Sequence, residues 1–128
     1  MTATGVGFLI PRPPLVAPNA AVSAQGSTVS LAITDYAKNI TNTGSIGTTV
    51  YTLLAAADAA GMSLRIQTTV AQIIRLLPAS GEAICLGGSC VVTKYLQIAA
   101  TIGNYCELYC DGVRYLVTSY SGVVTKEA

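Results

Sequence analysis

From Thr28 onward the sequence alternates between apolar and small polar side chains, and turns built on Gly, Pro or Asn break the alternation at short intervals. Successive side chains of an extended backbone point to opposite faces, so a period of two lets one face be buried while the other stays wet. Val29, Leu31 and Ile33 alternate with Thr28, Ser30, Ala32 and Thr34, which predicts a strand over 28–34. Further strands are expected over 48–54, over 62–70 and 71–77 (two strands or one bent strand, stopped by Pro78), and over 95–101, 105–110 and 113–120. Residues 42–47, 78–81 and 86–89 read as turns, and Asp111-Gly112 is the clearest hairpin signal, because a tight hairpin needs residues that tolerate positive φ. Helix propensity is high only over 55–60, too short for more than a turn or so before Gly61 ends it. Many short strands with frequent turns predict an all-β chain, an antiparallel β-sandwich or barrel of jelly-roll-like form.

Residues 1–27 follow different rules. They hold all but one of the five prolines, and proline fixes φ while supplying no amide donor. An extended N-terminal arm is therefore expected over 1–27, ahead of a β domain over 28–128. The arm is apolar, unlike the polar composition of ordinary disordered tails. Such an arm needs a surface to lie on, either its own domain, a neighbouring subunit or a larger assembly. The residues expected to make that contact are Phe8, Leu9, Ile10, Pro11, Arg12, Pro13, Pro14, Leu15 and Val16.

At 128 residues the chain can bury a core of its own without disulfides or a metal. Hydrophobic residues make up 52% of it and charged residues 10%, against about a quarter charged in ordinary domains. Few charges suit a surface partly covered by partners, or one dressed in Thr, Ser and Asn. Net charge is +1 with the bases scattered singly, so no stripe exists to track a phosphate backbone and no nucleic-acid partner is expected. The longest apolar runs are far short of a membrane span. The run over 6–10 has no basic residue before it and three prolines soon after, unlike a secretory leader. A soluble protein made and assembled in the cytoplasm is the expectation.

Histidine is absent, which removes the usual general base, the usual activator of Ser or Cys, and the commonest metal ligand. None of the six acids adjoins another, and an ordinary solvated role is expected for each. The cysteines are spaced C-x4-C (Cys85, Cys90) and C-x3-C (Cys106, Cys110), looser than a zinc knuckle. Along one strand Cys106 and Cys110 stand about 13 Å apart, too far to bridge. Cys85 and Cys90 flank a Gly-Gly turn and could meet across a hairpin. The preferred expectation is four small buried thiols in a reducing compartment, with a Cys85–Cys90 disulfide as the alternative. No catalytic residue, cofactor or metal is expected. Tyr105, Tyr109, Tyr115 and Tyr120 gather in the last hairpin, as cross-strand packing, a subunit interface or a ligand-binding strip.

The stretch Thr41-Asn42-Thr43-Gly44-Ser45-Ile46-Gly47-Thr48-Thr49-Val50-Tyr51-Thr52-Leu53 resembles a segment of tailed-phage virion proteins, in which an N-T-G-x-x-G turn opens a V-x-x-T-L strand. Ala71-Gln72-Ile73-Ile74-Arg75-Leu76-Leu77-Pro78 looks like their A-Q-x-I-x-I-x-P stretch, and Ser80-Gly81-Glu82-Ala83-Ile84 like their G-D-x-I. The end, from Cys106 through Cys110-Asp111-Gly112 to Ser119, resembles their V-x-L-x-C-D-G-x-x-W-x-V-x-S hairpin. The likeness spans roughly residues 34–122, with Tyr115 where the family usually has Trp and Leu54 where it usually has Pro. It implies a structural protein of the virion, on the capsid surface, in one of two forms. The first is a capsid decoration (cement) protein, a homotrimer on the outer face of a phage head that stabilises contacts between major capsid subunits. The alternative is a head-fibre or tail appendage domain that binds host surface glycan. A chain that is only this domain plus an arm fits decoration better than a longer fibre.

Overall fold

The computed structural model describes residues 28–127, and the arm residues Phe8 to Val16 lie outside them. Ten strands form in chain order: β1 (Thr28–Ser30), β2 (Asn39–Thr41), β3 (Thr49–Thr52), β4 (Ser63–Gln67), β5 (Ile74–Leu77), β6 (Ile84–Cys85), β7 (Leu96–Ile98), β8 (Tyr105–Cys110), β9 (Tyr115–Ser121) and β10 (Val124–Lys126). Two short 3-10 turns, Ile33–Asp35 and Ala56–Asp58, are the only helical pieces among the described residues. The strands make two five-stranded sheets, ordered β2-β4-β8-β9-β6 and β10-β7-β5-β3-β1. The chain is thus all-β and sandwich-like, as the alternation predicted.

Strands β3, β4, β5, β7 and β8 are built on that alternation. In β4, Leu64 and Ile66 are buried while Ser63, Arg65 and Gln67 face outward, and in β8 Cys106, Leu108 and Cys110 are buried behind Tyr105, Glu107 and Tyr109. The facing sheet contributes Tyr51, Ile74, Leu76, Leu96 and Ile98 to the same core. Each fully buried Ile or Leu contributes about 1.5–3 kcal/mol relative to leaving it in water. Two-faced strands of this kind leave only one way to close: apolar face against apolar face.

The expected antiparallel pairing holds for only part of the sandwich. Strands β8/β9, β4/β8, β5/β7 and β7/β10 pair antiparallel, but β1/β3, β3/β5, β2/β4 and β6/β9 pair parallel. The cause is the route of the chain. Every connection from β1 to β8 crosses to the other sheet, and up to β6 alternate strands return to the same sheet in the same direction, whereas β7 and β8 run the other way. Among the described residues the β8–β9 hairpin is the one consecutive pair within a sheet. There Gly112 takes φ of 94°, and the Asp111 carboxylate accepts the amides of Val113 (2.8 Å) and Arg114 (2.9 Å). Those two bonds hold the Asp111 carboxyl below its ordinary value.

Other expectations are trimmed. The strand expected over 28–34 stops at Ser30, where the Asp35 side chain accepts the Ala32 amide (2.8 Å) and curls the chain into a 3-10 turn, which leaves Ile33 exposed. The strands expected over 71–77 and 95–101 begin at Ile74 and span Leu96–Ile98. The helical stretch at 55–60 is a single 3-10 turn, closed by a bond of the Ala56 amide to the Glu82 carboxylate (2.9 Å).

Candidate functional site

The groups most able to do chemistry are held inside the sandwich. Three hydrogen bonds link two hydroxyls and the Leu54 backbone in a ring: the Leu54 amide donates to Tyr36 (3.0 Å), Tyr36 donates to Tyr115 (2.6 Å), and Tyr115 donates to the Leu54 carbonyl (2.9 Å). Burial raises the pKa of both phenols, so they remain neutral and structural. Tyr51 is likewise buried and donates to the Thr41 carbonyl (2.8 Å). Cys106 and Cys110 are free and buried, as expected, and burial pushes the Cys106 thiol up to about 12. A nucleophilic thiol needs the opposite shift. Among the described residues no three His, Cys, Asp or Glu side chains gather as a metal site.

Cys85 and Cys90 depart from the preferred expectation, since they are joined in a disulfide. The Leu86–Ser89 bridge folds the Gly87-Gly88 turn back on itself and brings the two sulfurs together. The turn residues were the signal, because a Gly-Gly pair is what lets so short a loop close.

The four hairpin tyrosines do not form one strip. Tyr115 is a core residue, paired with Cys110 across the β8–β9 ladder. Tyr105 and Tyr109 stand on the outer face of the first sheet. Tyr120 sits opposite Cys106, on the other parity, and is exposed near the end of β9. A register shift between Val117 and Ser119 inserts Thr118 into that hairpin. Beside it the outer face is hollowed into a groove of about 370 Å³, lined by Lys38, Asn39, Ser63, Arg65, Glu107 and Thr118 among others. Arg65 pairs with Glu107 (2.8 Å) and lies over the Tyr105 ring (3.9 Å), and the buried side-chain Oδ1 of Asn39 has no hydrogen-bond partner.

The two ends of the sandwich differ in charge. At one end are the loops 42–48, 68–73, 99–104 and 122–123, and none carries an Asp, Glu, Lys or Arg. The other end holds the loops 31–38, 53–62, 78–83, 86–95 and 111–114 together with Lys126 and Glu127, and it carries every described charge except Arg65, Arg75 and Glu107 on the sheet faces. Thr28 pairs with Val50 at the start of β3, next to the 42–48 loop. Residues 1–27, with Arg12 as their one charged side chain, therefore join the domain at its uncharged end.

A scan against protein-family models finds no match to this chain, and a search of curated proteins finds no significant relative.

Proposed function

We propose that this chain is a non-enzymatic structural module of a phage particle, a decoration protein that binds the outer head surface as a trimer and clamps adjacent major capsid subunits. The observation that carries this reading is the root of the apolar, Pro-rich segment. It enters the β domain at the end that has no charge, while the phenols of Tyr36, Tyr51 and Tyr115 and the two free thiols are held in the core. The order of sequence motifs shared with tailed-phage virion proteins points the same way. A clamp works by burying apolar surface across the seam between capsomers, which requires no reactive group.

One observation favours a second reading, host-glycan binding by an appendage domain. The groove beside Arg65 is lined by Asn39, whose buried Oδ1 has no partner, and it presents the half-exposed Arg65–Glu107 ion pair to a hydroxyl-rich ligand.

The trimer is tested by light scattering on the purified chain. A particle of three times the 13.1 kDa chain is expected for the full-length protein, and three times the mass of the shortened chain after deletion of residues 1–18. A monomer in both samples overturns the trimeric form of the proposal.

A further inference from the structure

We infer that the uncharged end of the sandwich is itself a docking face, and that it seats against an apolar, charge-poor protein surface of the particle beside the root of the arm. This rests on the decoration reading and adds the domain's own contact residues and its orientation on the head.

The first argument is exposure without charge. Ile46 is 81% exposed, Ile102 66%, Val123 62% and Tyr120 50%, each on a different loop or strand terminus of this one end. Large apolar side chains are scattered singly on most surfaces, but their gathering on a region free of charge is the composition of an interface core. The opposite end also exposes apolar residues, Val91, Val92 and Val113, but among Glu82, Lys94, Asp111 and Arg114. Seating that end against a protein would strip water from charges; seating the uncharged end strips it from none.

The second argument is rigidity. The four loops of the uncharged end are laced to one another. Asn42 bonds to Thr69, Val70 and Gln72, Thr68 donates to the Asn104 carbonyl (2.8 Å) and receives the Gly103 amide (2.9 Å), and Ala99 donates to the Val123 carbonyl (3.0 Å). Gly122 passes so close to the Asn104 side chain that a Cβ there would meet its Oδ1 at 2.0 Å. Pre-ordered loops lose little conformational freedom on docking, so more of the apolar burial appears as affinity.

The third argument is continuity. The 27 residues before Thr28 leave from this same end and are themselves apolar, with a single charged side chain. An arm that reaches a neighbouring capsid subunit from here brings this end of the domain towards that subunit's surface. The chemistry of the partner follows from the face: no carboxylate to meet a base and no base to meet a carboxylate, only aliphatic side chains, the Tyr120 ring and small hydroxyl and amide groups.

The test uses the full-length chain and purified heads of the phage that encodes it, stripped of this protein. Ile46→Asp and Ile102→Asp place a charge on the face, and Val113→Asp places one at the opposite end. All three positions are exposed, and unchanged melting temperatures confirm folding. Co-sedimentation is expected to show at least about a tenfold weaker association for the two face variants, the factor carried by 1.4 kcal/mol, with Val113→Asp within about twofold of wild type. Wild-type binding with undiminished binding of both face variants overturns the inference and leaves the decoration reading standing. Dissociation of the trimer by Ile46→Asp assigns the face to a second copy of the chain instead and also overturns it. If the wild-type chain itself fails to bind heads, the decoration reading and this inference fall together.

Discussion

Replacing Asn42 with alanine is expected to destabilise the domain by about 3 kcal/mol or more, because each buried polar group left without a partner costs roughly 1–3 kcal/mol. Asn42 is fully buried. Its Oδ1 accepts the amides of Thr69 (2.8 Å) and Val70 (3.0 Å), and its Nδ2 donates to the carbonyls of Val70 (2.9 Å) and Gln72 (3.3 Å). The loop at 68–73 has no ladder of its own at these residues, so one side chain takes the place of a strand neighbour. Alanine removes the partner and leaves a cavity that the loop must fill by moving. In a domain of this size each kcal/mol lowers Tm by roughly 4–8 °C, so a fall of more than about 10 °C is expected by calorimetry. Asn39→Ala, which loses one bond to Gln67 (3.2 Å), serves as the control and is expected to cost less than about 1 kcal/mol. Equal melting temperatures for Asn42→Ala and wild type would contradict this account of the end loops.

Alkali is expected to destabilise the domain steeply, through the buried thiols and phenols. The Cys106 thiol, ordinarily near 9.0, is pushed up to about 12 by burial, and Cys110 is raised for the same reason. Burial also raises Tyr36, Tyr51 and Tyr115 above their ordinary 10.0. Between the two values the unfolded chain has released the proton and the folded chain has not. The unfolded state then binds fewer protons, so stability falls as pH rises, by about 1.4 kcal/mol per pH unit for each such group. The contribution is intact below pH 9, begins to drain through the thiols above it, and drains faster once the phenols join above pH 10. A loss of more than about 5 kcal/mol by pH 11 is expected, comparable to the whole stability of many domains. Urea titrations at stepped pH measure it, and Cys106→Ala is expected to flatten the first part of the fall. Stability unchanged up to pH 11 would contradict the burial of these groups.

The alternation of Leu64, Ile66, Cys106 and Leu108 with polar neighbours was enough to predict strands, their inward faces and an all-β core. It carried no information about strand direction, because a period of two is the same in parallel and antiparallel ladders. The parallel pairs arise from loops that cross between sheets, which depends on tertiary closure and not on any local residue. Asp111-Gly112 was legible because its turn chemistry is local. The Tyr36–Tyr115 ring was not, since its members are far apart in sequence and a tyrosine looks the same in a core as on a surface. The gathering of Ile46, Ile102, Tyr120 and Val123 at one end was hidden for the same reason, since these residues share an end only after the chain has wound between the sheets.

The central claim, attachment to a phage head through the arm, is tested most directly by co-sedimenting stripped heads with the full-length chain and with the chain lacking residues 1–18. The account predicts saturable binding of the full-length protein and its loss on truncation, while the β domain keeps its melting transition. Undiminished binding by the truncated protein would contradict the arm's role. Failure of the full-length chain to bind heads at all would contradict the decoration function and leave the groove beside Arg65, with its unpaired Asn39 oxygen, as the place to seek a ligand.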